Sequence, residues 1–113
     1  MLNEDRVRLS HMRDAAVEAV SFIAGKSRTD LDADRQLVLA LVKSIEIIGE
    51  AAMKVSRGGK AETSEVPWRD IIAMRNRLIH AYFDIDLDIL WQTVTFELPT
   101  LVQGLEHLLT QTK

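Results

Sequence analysis

The chain has 113 residues, enough for one domain spanning 1–113 and no more. It contains no cysteine, which excludes disulfides, zinc–thiolate sites and cysteine nucleophiles. With 14 basic and 17 acidic residues its net charge is −3, which argues against a protein that coats nucleic acid through bulk electrostatics, though not against a local basic site.

The amino terminus reads Met1-Leu2-Asn3-Glu4-Asp5-Arg6, with acids where a signal peptide carries its basic region. No stretch approaches the roughly 20 uninterrupted apolar residues that span a bilayer. No membrane association is expected, and the cytoplasm is the expected compartment.

Helical periodicity fills most of the chain. A first helix is predicted from about Asp5 to Ala24, with Leu9, Met12, Ala16, Ala19 and Ile23 on one stripe and Gly25 as its stop. A second begins near Asp30 to Asp34, where acids suit a helix amino terminus. It carries Leu37, Leu41, Ile45, Ile48, Ala52 and Val55 on one face and ends before Gly58-Gly59. The polar segment from Arg57 to Glu65 reads as a loop. Pro67 is placed as the first-turn proline of a third helix, through Trp68, Ile71, Ile72, Met74, Leu78 and Ile79, which gives out around Tyr82 to Asp84. Asp86 is the expected N-cap of a fourth, which passes Leu87, Leu90, Trp91, Val94, Leu98, Leu101, Leu105 and Leu108. Pro99 falls inside it and should bend or split it. No segment alternates with period two, so no sheet is expected. The predicted fold is all-α, an up-and-down four-helix bundle. In a chain this small, a surplus apolar face points to a homodimer.

One residue breaks the pattern. At about 100° per residue, Ile71, Leu78 and Tyr82 fall on one arc of the third helix, flanked by Trp68, Met74 and Ile79, and Arg75 falls within that apolar stripe. A guanidinium there is costly unless paired, for example with a core acid such as Glu46 or Glu50. His80 follows five residues later, about 140° round an ideal helix from Arg75. The two converge only if the helix loosens near His80, or if a second copy supplies the partner. Taken singly, His80 could merely complement a helix dipole, and Tyr82 could be a core residue with a wet hydroxyl. Together the three supply a fixed cation, a group that titrates near neutrality and an orienting hydroxyl. That set suits metal-free RNA cleavage: a base takes the 2′-hydroxyl proton, an acid protonates the leaving oxygen and a cation steadies the phosphate. No cluster of acids or histidines at ligand spacing surrounds it, so neither a metal nor another cofactor is expected. Trp68 and Trp91 read as core, and His11 and His107 as surface or interface.

The segment Met74-Arg75-Asn76-Arg77-Leu78-Ile79-His80-Ala81-Tyr82 resembles the signature of HepT-like HEPN proteins: arginine, four residues, histidine, any residue, tyrosine. The flanking words raise its specificity. Ile45-Glu46-Ile47-Ile48-Gly49-Glu50-Ala51-Ala52 resembles the family's second helix, Val66-Pro67-Trp68-Arg69-Asp70-Ile71 the entry to its motif helix, and Leu90-Trp91 and Leu98-Pro99 its last helix. The resemblance implies a helical dimer whose two motifs meet across a cleft, which would bring Arg75 and His80 of both chains together. It implies a metal-independent endoribonuclease toxin of a type VII-like toxin–antitoxin system, acting on RNA with Arg75 and His80 as catalytic residues. Asn76 and Arg77 support the site. The implied partner is a minimal nucleotidyltransferase antitoxin that transfers AMP to Tyr82. A non-catalytic HEPN module, binding nucleotide or RNA or serving as a scaffold for the nucleotidyltransferase, is the alternative.

Overall fold

The structure, a computed structural model, describes residues 1–81 and 84–111, and at Arg75, Ile79, His80 and Ala81 the backbone alone. The all-α class holds. Helix α1 spans Asn3–Phe22, and the chain leaves it through Gly25, whose φ of 75° is the left-handed conformation that glycine adopts without a Cβ clash. Its predicted stripe is real: Leu9, Met12, Ala16 and Ala19 are buried and Ile23 is partly so.

The second predicted helix is two helices. A single turn, α2 (Asp30–Ala33), precedes α3 (Arg35–Lys54). The break falls at Asp34 because its carboxylate caps α3, accepting from the Leu37 N–H at 3.0 Å. Leu37, Leu41, Ile45, Ile48, Ala52 and Val55 are all buried. Full burial of side chains such as Leu41, Ile45 and Ile48 contributes about 1.5–3 kcal/mol each. Helix α3 packs against α1 on one side and against the motif helix on the other.

The segment read as a loop contains a further helix, α4 (Arg57–Glu62). Ser56 caps it, its Oγ accepting from the Gly59 N–H at 3.0 Å. The Ser56 N–H in turn donates to Asp5 at 2.8 Å, and the Ser56 hydroxyl donates to the same carboxylate. Gly59 is not a helix breaker here. A Cβ at that position would collide with the Asp5 carboxylate, so the glycine clears room for the α1–α4 latch.

Asp5 is buried, and the two hydrogen bonds from Ser56 hold its carboxyl below the usual carboxylate range. A lowered folded-state pKa means that this stabilisation is present above the unfolded value and is lost as pH falls through the folded one. Asp5→Ala is expected to cost about 1–3 kcal/mol at neutral pH. The difference from wild type should shrink as the pH is lowered below about 4. Urea unfolding across that range checks this, and a difference independent of pH would rule out the carboxylate as the source.

Helix α5 (Trp68–Leu78) starts one residue after Pro67, whose carbonyl accepts from the Ile71 N–H at 3.0 Å. Pro67 therefore stands at the cap rather than in the first turn. Ile71, Met74 and Leu78 are buried against α3. The helix was expected to reach Tyr82 to Asp84 and instead stops at Leu78. Strand β1 (Ile79–Ala81) follows and pairs antiparallel with β2 (Asp84–Ile85), Ile79 opposite Ile85 and Ala81 opposite Asp84. This minimal hairpin is the one departure from the expected absence of sheet among the described residues.

Asp86 caps α6 (Leu87–Gln92) as expected, accepting from the Asp88 and Ile89 N–H groups. The interruption expected at Pro99 takes the form of a π-turn just before it, Thr93–Glu97, which leads into α7 (Leu98–Gln111). The Leu98 N–H donates to the Thr93 carbonyl, five residues back. Two causes converge. Pro99 has no N–H for the carbonyl four residues before it. Leu90, Val94 and Leu98 follow at two successive steps of four, which would carry them about 80° round a regular helix; the wider turn absorbs that drift, and all three are buried.

Candidate active site

The geometry at issue is the carboxyl-terminal end of α5. Arg75 lies three residues before that end, between Ile71 and Leu78, which are both buried. His80 is not on the helix: its backbone belongs to β1. The separation of about 140° that an unbroken helix would impose on the two therefore does not apply. Tyr82 lies outside the described residues, as do the side chains of Arg75 and His80.

Glu46 and Glu50, the two acids considered as counter-charges for Arg75, differ sharply. Glu46 is buried, 7% exposed, on the helix that packs against α5, whereas Glu50 is exposed. A carboxylate kept that dry is retained only where it is paired or hydrogen-bonded.

Asn76 and Arg77, on the last turn of α5, are both exposed. Arg77 Nη2 lies 3.5 Å from Glu97 Oε1, so the end of the motif helix is joined to the π-turn by an ion pair. Glu97 was not singled out from the sequence. The signal available there was indirect: successive four-residue steps and a proline in a helix otherwise regular enough to leave Glu97 as one more solvent-facing acid.

Alongside α5 runs an apolar groove of about 440 Å³, floored by Val66, Ile71, Met74, Leu98 and Leu101, with Phe96 at its edge. Its charged lining residues are Glu65, Asp70 and Glu97, all acidic. Phosphate is repelled from such a lining, so this groove is a poor RNA site. The exposed Asn76 and Arg77 present the better-suited surface. The residues expected to be core or unassigned behave accordingly. Trp68 and Trp91 pack against the core, with Trp68 Nε1 donating to the Thr63 carbonyl at 3.1 Å, and His11 and His107 are exposed. Among the described residues no helix is long and apolar enough to cross a membrane.

Comparison with known proteins narrows the meaning of this geometry. Residues 12–108 match the family described as Ribonuclease HepT-like. A candidate RNase of Caldanaerobacter subterraneus subsp. tengcongensis is 34% identical over 108 residues, 96% of each chain. A candidate ribonuclease HepT of Thermococcus cleftensis is 36% identical over 107 residues, covering 91% of this chain and 96% of the relative. A candidate RNase of Methanocaldococcus jannaschii is 28% identical over 93 residues, covering 82% of this chain and 85% of the relative. No solved structure shows significant similarity. With a family match over most of its length and relatives of nearly equal extent, the chain belongs to the HepT-like ribonuclease family.

Proposed function

We propose that the protein is a metal-independent endoribonuclease that acts in the cytoplasm as the toxin of a toxin–antitoxin pair. Arg75 and His80 are its catalytic residues. The observation that carries this reading is the end of α5 at Leu78, which frees His80 from the helix that bears Arg75. In the reaction the 2′-hydroxyl loses its proton to a base as its oxygen bonds to phosphorus. The bond from phosphorus to the 5′-oxygen breaks, and an acid protonates the departing oxygen. His80 supplies one of these proton transfers. Arg75 offsets charge on the phosphate, with the buried Glu46 as its counter-charge from α3. Asn76 and Arg77 hold the RNA backbone beside the reacting bond.

The site is completed by a second copy, with the motif ends of two α5 helices facing each other across a two-fold axis. Sedimentation at micromolar concentration should show a dimer, and a monomer there would remove the composite site. The antitoxin is a minimal nucleotidyltransferase that transfers AMP to Tyr82. The added phosphate bars RNA by bulk and charge repulsion.

Expression of wild type, Arg75→Ala and His80→Ala in bacteria tests the reading. Growth arrest with fragmented RNA in the wild type alone supports it. Equal growth and intact RNA in all three, with soluble protein present, would instead favour a non-catalytic module that binds RNA or the nucleotidyltransferase.

A further inference from the structure

The ion pair between Arg77 and Glu97 has a second anchor. While Glu97 Oε1 faces Arg77 Nη2 at 3.5 Å, Glu97 Oε2 lies 3.3 Å from Thr93 Oγ1. Thr93 is fully buried, and its hydroxyl is also 2.8 Å from the Ile89 carbonyl. One carboxylate thus faces a fixed hydroxyl on its own helix and a guanidinium on another. Thr93 and Glu97 are the first and last residues of the π-turn, an irregularity often found at functional sites.

Such a pair does little for the fold. Both side chains are about half exposed (51% and 44%), and 3.5 Å is long for a charge-assisted hydrogen bond. Its consequence is orientational. An unrestrained arginine side chain samples many rotamers, and a tether at one nitrogen restricts them. The guanidinium has five N–H donors, so a single contact leaves donors for a second acceptor. Beside Asn76 and just before the strand that carries His80, an RNA phosphate is the acceptor that the ribonuclease reading supplies.

We infer that Glu97 is a positioning residue: through the π-turn it holds the Arg77 guanidinium ready to receive a phosphate of the bound RNA. This rests on the ribonuclease reading only in requiring that Arg77 meet RNA. A carboxylate that merely competed with phosphate for Arg77 would have the opposite effect, since its removal would tighten binding.

The test is binding of a short fluorescent 2′-O-methyl RNA, which offers no 2′-hydroxyl to attack, so no cleavage is needed. Arg77→Ala and Glu97→Ala are each expected to weaken binding about three- to tenfold and to lower the slope of log Kd against log salt by about 0.7. The double variant should be no worse than either single one. Glu97→Gln, which keeps an acceptor oxygen, should restore most of the loss. On cleavable RNA the Glu97→Ala effect should appear in KM, with kcat changed less than about twofold. Binding by Glu97→Ala at or above wild-type strength, or additive losses in the double variant, would overturn the inference. If the variants bind as tightly as the wild type while the wild type cleaves RNA, the positioning role fails and the ribonuclease reading stands. A wild type that neither binds nor cleaves removes both.

Discussion

Replacing His80 by alanine is expected to slow RNA cleavage by about 10²–10⁴-fold, the usual contribution of a positioned general acid or base. That corresponds to roughly 3–5.5 kcal/mol of transition-state stabilisation. The chain has three histidines, and the other two, His11 and His107, are exposed on α1 and α7, outside the motif. Neither can substitute from the end of α5. Arg75→Ala should cost about 10²–10³-fold by removing the cation from the phosphate. Because position 75 sits between buried residues, Arg75→Lys is the companion variant: it keeps the charge but loses the planar fork, and it should recover only part of the rate. The double variant should be little worse than His80→Ala alone, since residues that act as a unit are not additive. Single-turnover rates on a defined RNA in the presence of a chelator measure all four, with thermal unfolding to confirm the fold. Cleavage by His80→Ala within about threefold of wild type would remove it from the chemistry.

Tyr82→Phe is expected to abolish AMP transfer by the proposed antitoxin outright. The phenolic oxygen is the proposed acceptor: it attacks the α-phosphorus of ATP, its O–P bond forms, the bond to pyrophosphate breaks and the phenolic proton passes to a base. Phenylalanine keeps the ring and deletes only that oxygen. The assignment is unusually clean because Tyr82 is the only tyrosine in the chain, so any tyrosine-linked AMP must be there. Incubation with labelled ATP and the nucleotidyltransferase, followed by mass spectrometry of the chain, reads the outcome. Label on Tyr82→Phe at the wild-type level would place the acceptor on a serine or threonine and refute the proposal. In cells, co-expressed antitoxin should protect against the wild type and fail against Tyr82→Phe. Arrest by that variant would also show that the hydroxyl is more important for neutralisation than for cleavage.

The stripes of α1 and α3, the stop at Gly25 and the cap at Asp86 were all legible in the sequence. Each depends on residues within a turn or two of each other, and a period of 3.6 or a capping carboxylate is visible in so short a window. The motif was legible as a spacing, Arg75 to His80 to Tyr82, and the buried arc around Arg75 marked it as an exception.

What only the tertiary structure decided lies beyond that window. Helix α4 forms across two glycines because Asp5 reaches Ser56, 51 residues away, and local propensity argued against it. Helix α5 ends at Leu78, although Ile79 continues its apolar pattern, because β1 finds β2. The π-turn places Glu97 against Arg77, 20 residues apart in sequence. Periodicity reports which face of a helix is apolar; it carries no information about which distant group will meet that face, and the end of α5 was settled by such meetings.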